Sequence, residues 1–379
     1  MSIDVLHNKI RKLKNPSVID FGVKADSIPP HLLEEEGNLC AAYGRFCREL
    51  MQGLKGFVPA VRFSIGAFSL LGPEGLDLLR KLLTQAGELG FYVILDGPEI
   101  LSPWAADRAA ETIFGAGTYP CDALLFSGYI GSDAIKPFMP WCKDGSKSVF
   151  VVVRSPNKSA SEIQDLLTGT RLVHGAAAET VNRFGEQVTG KSGYSLIGAV
   201  VSAGAPDSLR NLRTKYNRVF LLVDGLDYPS GNAKNCSYAF DRFGYGAAVC
   251  AGPSVTAAWR ESESDGTDYI DHALQAAERM KKNTTRYVTI LYPMLKIYGS
   301  MLCPDCVQCR ADLDQAGISY TYLDFSDDLR NLKVFLALRD SHPVFEKARA
   351  EGFIGIPCIV REDGSVTLDW SEYVSQDGA

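Results

Sequence analysis

Short apolar segments recur at regular intervals over the first two thirds of the chain. Eight of them contain few polar positions, which is the pattern of strands that are buried on both faces of a parallel sheet. Segments with helical spacing of apolar residues lie between them, at 75–89, 161–167 and 176–184. The eight predicted strands are Ser17–Gly22, Phe57–Ile65, Tyr92–Gly97, Asp122–Gly128, Ser148–Arg154, Leu196–Ala203, Val219–Gly225 and Ala247–Gly252.

Eight alternating strand and helix units predict a closed (β/α)8 TIM barrel, an α/β fold. An open doubly wound sheet is the alternative, and it needs fewer strands. A shorter pattern follows, with predicted strands at 295–298, 319–325, 354–360 and 366–368 and helices beginning near 304 and 329. This order suits a small thioredoxin-like domain. We therefore predict a barrel over 1–282, a linker over 283–293 and a thioredoxin-like α/β domain over 294–379.

Composition and charge exclude several classes of protein. The 379 residues are 46% hydrophobic and 22% charged, which is ordinary globular usage and excludes a disordered chain. No stretch approaches the ~18 apolar residues of a membrane span, and the N-terminus has no apolar signal core, so we expect a cytoplasmic protein without a membrane partner. The net charge of −6 arises from Tyr292 onward. No basic patch indicates a nucleic-acid partner.

Three of the ten cysteines are clustered in the segment GSMLCPDCVQCR, at 299–310. Cys303 is predicted at a helix N-terminus, where free N–H groups and the helix dipole stabilise a thiolate. Cys306 follows about one turn later, within disulfide reach, which predicts dithiol exchange. Two alternatives remain open: a metal site that adds Cys309 and Cys358, and an inactive relic.

The C-terminal segment resembles the glutaredoxin/thioredoxin family, because a Cys-Pro-x-Cys helix start is followed by Ile356-Pro357 at the mouth of a later strand. The resemblance implies that Cys303 is the catalytic nucleophile, Cys306 the resolving thiol and Pro357 the adjacent cis-proline. It also implies a thiol or disulfide partner, either a protein or a small molecule. The chain reads VTLDWSEY where glutaredoxins carry a Gly-rich glutathione-binding turn.

The barrel resembles the orotidine 5′-phosphate decarboxylase family over most of 1–282. The likeness is carried by FVPAVRFSIGAFSLLGPEG at 57–75, DALLFSGYIGSDAIKPF at 122–138 and IGAVVSAGAP at 197–206. It implies a barrel that is often a homodimer, with its site at the carboxyl ends of the strands. Family members use an alternating Lys-Asp-Lys-Asp array, in which carboxylates oppose the substrate carboxylate and a lysine protonates the carbanion.

Several positions of that array are altered in this chain. The family segment D-x-K-x-x-D reads DGPEIL here, so Asp96 remains but Pro98 and Leu101 replace the lysine and the second aspartate. Arg62 stands at the first lysine, and an arginine keeps its proton at all ordinary pH values. Since Pro98 has no proton to give, these replacements predict that orotidine 5′-phosphate decarboxylation has been lost.

The positions that contact the rest of the substrate differ as well. The aspartate after the first strand falls on Gly22, and the Asn-Pro pair after the fourth strand is Ser127-Gly128. The phosphate-binding arginine after the eighth strand falls on Pro253. The loop after the seventh strand reads DGLDYPSGN and places Asp224 and Asp227 where an anion should bind. Two carboxylates there repel a phosphate.

The charged residues left at the predicted mouth are candidates for binding a small molecule. A purely structural alternative is that they pair with one another, Arg62 with Asp96 for example. The chain is expected to need no cofactor and no metal. Three functions stay open: a thiol–disulfide oxidoreductase with the barrel as scaffold, which the residues favour; a decarboxylase with altered residues; and a non-catalytic sensor of a ligand or of redox state. The mouth candidates are Lys24, Arg62, Asp96, Glu99, Asp224 and Asp227.

Overall fold

The computed structural model describes residues 1–22, 24–241, 243–262, 264–291, 295–316, 318, 320–361 and 364–374. These residues divide into two compact units. One comprises 1–241 and 245–287, and the other comprises 243–244 and the described residues from 288 onward. No helix of the described residues is both long and apolar enough to cross a bilayer.

The first unit is the predicted barrel. Eight parallel strands close in chain order, and β8 pairs with β1 to complete the ring. Nearly every strand residue is buried, as their continuous apolar sequences predicted. The strands are β1 Ser17–Asp20, β2 Ala60–Ser64, β3 Tyr92–Asp96, β4 Ala123–Ser127, β5 Ser148–Arg154, β6 Ile197–Ser202, β7 Leu221–Asp224 and β8 Ala247–Ala251.

Helices lie before, between and after the barrel strands. Their apolar faces cover the barrel: Leu79, Leu82 and Leu83 of the helix after β2 are all buried, for example. The α-helices of this part of the chain are Ser2–Leu13, Pro30–Glu36, Leu39–Leu54, Ile65–Ser69, Gly72–Glu88, Pro103–Ala109, Met139–Lys143, Val173–Gly185, Pro206–Lys215, Ala233–Cys236, Pro253–Thr256 and Tyr269–Leu291.

The helix predicted at 161–167 is wrong. A 3-10 helix ends at Glu162, and the chain then enters a short ribbon in which Leu167–Thr168 pairs with Arg171–Leu172. Gly169 makes the turn with a φ of 66°, a left-handed conformation that glycine adopts without steric cost. Asp165 lies in a turn, and its carboxylate accepts two hydrogen bonds from Arg154 at 2.9 Å each.

The second unit is a small α/β domain with a four-stranded sheet. Its strands are β9 Leu295–Gly299, β10 Tyr320–Asp324, β11 Cys358–Val360 and β12 Val366–Thr367, in the order β10-β9-β11-β12. β9 and β10 are parallel, and the other two pairs are antiparallel. The predicted linker lies largely in helix Tyr269–Leu291, and residues 292–294 lie outside the described residues. The remaining α-helices are Pro304–Ala316, Leu329–Ser341, Glu346–Ala350 and Ser371–Val374.

The carboxyl ends of the barrel strands form a polar mouth. Parallel strands bring their last residues to the same end of a barrel, where TIM-barrel enzymes carry their sites. Seven of the eight strands described above end on a polar or charged residue, and β8 ends on Ala251. The mouth is therefore where the charged candidates of the first unit converge. The last residues of β1 to β7 are Asp20, Ser64, Asp96, Ser127, Arg154, Ser202 and Asp224.

Candidate functional site

A buried guanidinium group lies between two carboxylates at the barrel mouth. Arg62 Nη2 lies 2.5 Å from Asp20 Oδ2, and Arg62 Nη1 lies 3.0 Å from Asp224 Oδ2. The strand register explains the first pair, since Asp20 and Arg62 are partners across β1 and β2. All three side chains are less than one fifth exposed. The alternative that the mouth charges pair with one another is confirmed for Arg62 and Asp224. The Arg62–Asp96 pair given as its example is not formed, because Asp20 and Asp224 hold the guanidinium.

Asp20 is not among the site residues predicted from the sequence, in which the aspartate expected after the first strand is absent. That position falls on Gly22, and a Cβ built there would lie only 3.2 Å from Asp20 Oδ1. The same oxygen accepts a hydrogen bond from the Gly22 backbone N–H at 2.9 Å. An acid two residues earlier therefore reaches the place beside Gly22. The sequence does indicate that Asp20 lies at the mouth, because it is the charged residue that directly follows the apolar pair Val18-Ile19 of the first predicted strand.

The surroundings keep Arg62 charged. Burial disfavours the guanidinium cation, but Asp20, Asp224 and Asp96 outweigh this effect and hold its pKa well above the ordinary value. The Nε atom of Arg62 is buried and has no hydrogen-bond partner among the described residues. The two carboxylates therefore leave part of the hydrogen-bonding capacity of Arg62 unused.

Asp96 ends β3 and is half-buried, while Glu99 in the following loop is exposed. Burial raises the pKa of the Asp96 carboxyl to about 6, and it does so against the opposing charge of Arg62. The negative charges of Asp20, Asp224 and Glu99 push the same pKa upward. Asp96 therefore changes its protonation state close to neutral pH, unlike an ordinary aspartate.

Asp96→Asn is expected to remove a pH dependence of stability. Because the folded state raises the pKa of Asp96, its contribution to stability is complete below about pH 4 and is lost as the pH rises through about 6. Relative to the variant, the free energy of unfolding of the wild type should fall by about 2 kcal/mol between pH 4 and 7.5. Urea unfolding at both pH values measures this. Asp107→Asn, at an exposed acid of helix Pro103–Ala109, is the control, and an equal change there would contradict the assignment.

A cavity of about 420 Å³ opens beside the Arg62 cluster. Lys24, from the loop after β1, lines it together with Arg62. Its ammonium group lies within ion-pair distance of no carboxylate in the part of the chain that the structure describes. The cavity is thus lined by two cations, Arg62 with carboxylate partners and Lys24 without one among the described residues, together with several acids. Its charged lining is formed by Asp20, Lys24, Arg62, Asp224 and Asp227, and Tyr228 and Gly252 also line it.

The lysine and phosphate positions of the resemblance hold residues without charge. Pro98 follows Gly97 through a cis peptide bond, and Pro253 lines the cavity at the start of a short helix after β8. Asp227 lies opposite this segment, and its Oδ2 accepts a hydrogen bond from the Gly252 N–H at 2.6 Å. Four of the six predicted mouth residues therefore line this cavity, namely Lys24, Arg62, Asp224 and Asp227. Asp96 acts on Arg62 through its charge, and Glu99 acts on Asp96 in the same way.

The cysteine segment forms a separate site in the second unit. Helix Pro304–Ala316 begins directly after Cys303, which is half-buried, and Cys306 is buried one turn later. Both thiols are free, and burial raises the pKa of Cys306 to about 11. The Ile356–Pro357 peptide bond is cis, as the resemblance implies. Among the described residues no group of three or more His, Cys, Asp or Glu side chains is arranged to hold a metal ion.

Curated proteins similar to this chain are decarboxylases. Orotidine 5′-phosphate decarboxylase of Rhodopirellula baltica is 30% identical over 258 residues, which cover 66% of this chain and 85% of that protein. The enzyme of the same name from Caldicellulosiruptor bescii is 27% identical over 286 residues, covering 70% and 94%. No protein-family model matches the chain.

Solved structures give the same fold. OMP decarboxylase of Leishmania donovani matches with a TM-score of 0.57 and 20% identity, covering 74% of this chain and 98% of that one. The orotidine 5′-monophosphate decarboxylase of Plasmodium berghei matches with a TM-score of 0.63 and 14% identity, covering 76% and 98%. At these identities the likeness establishes the barrel fold alone.

The predicted main function is wrong. Thiol–disulfide exchange, beside a barrel that no longer decarboxylates, was inferred from the cysteine segment and from the replaced lysine. The relatives that match 66–75% of the chain are instead decarboxylases, and nothing in the comparisons supports a thiol oxidoreductase. The error came from judging the barrel by single positions, although its similarity extends over most of its length. The chain belongs to the orotidine 5′-phosphate decarboxylase family.

Proposed function

We propose that the barrel mouth is a carboxy-lyase site that removes CO₂ from an orotidine-type pyrimidine carboxylate. The observation that carries the proposal is the cavity that is lined by both acids and cations: Asp20, Arg62, Asp224 and the unpaired Lys24 all line it. Fixed charges of this kind stabilise a charge that develops during reaction, because they need no reorganisation when it forms. The family's decarboxylases give this chemistry its precedent.

Arg62 is assigned the role of a fixed cation. Two carboxylates hold it and an arginine keeps its proton, so it stabilises negative charge on the substrate but does not protonate it. Asp20 and Asp224 are positioning residues that hold the guanidinium in place. Asp96 adds a carboxylate at the same end of the barrel and opposes the carboxylate of the substrate when it is ionised.

Lys24 is assigned the role of proton donor. The carbon–carboxylate bond of the substrate breaks, CO₂ leaves, and both bonding electrons remain on the ring carbon as a carbanion. A proton from the Lys24 ammonium then forms the new C–H bond, and solvent returns a proton to the amine. A positioned acid of this kind contributes roughly 10²–10⁴-fold to a rate. The exchange needs no oxidant or reductant.

The test is turnover by the full chain. Purified protein is incubated with orotidine and, separately, with orotidine 5′-phosphate, and the decarboxylated product is quantified over time. We expect product from at least one of the two substrates above the rate in buffer, and none from a Lys24→Gln, Arg62→Gln double variant. A rise in melting temperature with either substrate but without product would contradict the proposal and favour a binding protein.

We also propose that the second unit has a thioredoxin-like fold. Support comes from its β10-β9-β11-β12 sheet, from the helix that begins after Cys303, and from the cis bond before Pro357. Gly299 adds to this, because a Cβ there would lie 2.7 Å from Cys306 Sγ, so only glycine lets the helix approach β9 this closely. The proposal concerns the fold of this unit and assigns it no reaction.

A further inference from the structure

A carboxylate of the chain itself occupies the backbone donors between β7 and β8. Asp227 Oδ2 accepts a hydrogen bond from the Gly252 N–H at 2.6 Å and lies 3.5 Å from the Ser254 nitrogen. Both donors follow β8 directly, and Asp227 and Gly252 line the cavity beside Arg62. An acceptor from outside would have to displace this carboxylate before it could use the same N–H groups.

The loop that carries Asp227 is built to hold it there. Tight turns connect the loop, with the Tyr228 N–H bonded to the Gly225 carbonyl at 3.1 Å and the Gly231 N–H bonded to the Tyr228 carbonyl at 2.7 Å. Gly225 has a φ of 78°, and a Cβ on Gly231 would lie 2.2 Å from the Leu226 carbonyl oxygen. The positions of the two glycines therefore fix the turn, and with it the carboxylate.

The opposite wall is equally constrained. A Cβ on Gly252 would lie 3.3 Å from the backbone oxygen of Asp20, so the strand end after β8 packs tightly against β1. The next residue is Pro253, which has neither a backbone N–H nor a charge. Among the described residues that line the cavity, the acids Asp20, Asp224 and Asp227 outnumber the cations Arg62 and Lys24.

The loops after the seventh and eighth strands are the place where TIM barrels commonly bind phosphate, by backbone N–H groups. Here those donors already have an anionic acceptor, and a phosphate would meet the negative charge of Asp227 at close range. The occupied donors and the excess of acids both oppose a phosphate. Neither opposes an uncharged sugar hydroxyl, which can donate a hydrogen bond to the carboxylate.

We propose that Asp227 is a specificity-determining residue that makes this site prefer a pyrimidine nucleoside without a 5′-phosphate to the corresponding phosphate ester. The inference rests on the proposed function, since it names the substrate class of the same cavity. It identifies orotidine, rather than orotidine 5′-phosphate, as the better substrate. Asp227 itself takes the place that the phosphate would need.

Binding of the two product-like probes, uridine and uridine 5′-monophosphate, tests the inference without turnover. Titration calorimetry on the full chain should show that wild type binds the monophosphate no more tightly than uridine. Asp227→Ala frees the Gly252 donor and removes the charge, so it should raise the monophosphate-to-uridine affinity ratio at least tenfold. Asp227→Asn removes only the charge and should raise the ratio less. Asp77→Asn, which removes a charge from the exposed face of helix Gly72–Glu88, should leave the ratio unchanged.

Wild-type binding of the monophosphate tenfold tighter than uridine would overturn the inference, because Asp227 would then yield its place to a phosphate. An unchanged ratio in Asp227→Ala, or binding of neither probe by wild type and variant, would overturn it as well. Failure of the proposed function looks different: uridine binds with the expected preference, yet neither orotidine nor its phosphate is decarboxylated.

Discussion

Replacing Lys24 with glutamine is expected to lower the rate of decarboxylation by roughly 10²–10⁴-fold, which is the usual contribution of a positioned acid. Glutamine keeps most of the length and polarity of the side chain but removes the charge and the transferable proton. Because Lys24 is exposed and forms no ion pair with another described residue, the stability of the barrel should change by less than about 0.5 kcal/mol. Steady-state rates and urea unfolding on the same preparations measure both effects.

Lys24→Arg is the matched control for charge. Arginine keeps a cation at this position but holds its proton at every accessible pH. If Lys24 donates the proton, the arginine variant should be nearly as slow as the glutamine variant. Recovery of wild-type activity by arginine would contradict the donor role and leave Lys24 as a source of positive charge alone.

Arg62→Met is expected to produce the largest loss of stability. It leaves the Asp20 and Asp224 carboxylates largely buried without the guanidinium that both contact. Removing one partner of a buried ion-pair cluster typically costs about 3–5 kcal/mol. The free energy of unfolding at pH 7, measured in urea, should fall by an amount of this order. Decarboxylation should be lost as well, since the variant no longer has the fixed cation.

Two further variants separate the causes of that loss. The triple variant Asp20→Asn, Arg62→Met, Asp224→Asn removes both uncompensated charges and should recover much of the stability but none of the activity. Arg171→Met breaks an exposed pair with Glu179 and should cost far less. A loss in Arg62→Met no larger than that in Arg171→Met would show that the cluster does not stabilise the barrel.

The barrel could be predicted because each strand can be recognised from its own short stretch of sequence. Strands that are buried on both faces read as continuous apolar runs, and all eight coincide with barrel strands of the structure. The segment 161–167 failed for the opposite reason. Its apolar residues Ile163 and Leu166 are exposed, so their spacing reflects no buried helix face, and a turn at Gly169 decides the local structure.

The sequence predicts most residues of the candidate site but not which of their side chains contact one another. Sequence position places Asp96 and Asp224 at strand ends and Arg62 within the second strand, yet it does not state which side chains meet across a closed barrel. Asp20 shows most clearly why a contact cannot be read from sequence position. Its carboxylate reaches beside Gly22 from two residues away, and an alignment that compares single positions records only the glycine. Hydrogen bonds such as that between Asp227 and Gly252 depend on loop conformations that no periodic pattern specifies.

The family assignment changes how the replaced lysine is understood. Taken alone, Pro98 at the lysine position indicates an inactive barrel. The structure supplies two other cations at the mouth, Arg62 held by acids and Lys24 unpaired, within one cavity. The two roles of a single lysine, stabilising the carbanion and protonating it, can therefore be divided between two residues. Arg62 then supplies the stabilising charge and Lys24 the proton.

Single-turnover release of CO₂ shows whether Arg62 and Lys24 divide the two roles in this way. The full chain, in excess over orotidine labelled in its carboxyl group, is followed until the label has been released, beside Lys24→Gln and a sample in buffer alone. From this division of roles we expect wild type to release the label completely and well ahead of buffer, and Lys24→Gln to release it at least a hundredfold more slowly than wild type. Release by wild type at the rate in buffer, from orotidine and from its 5′-phosphate alike, would contradict it.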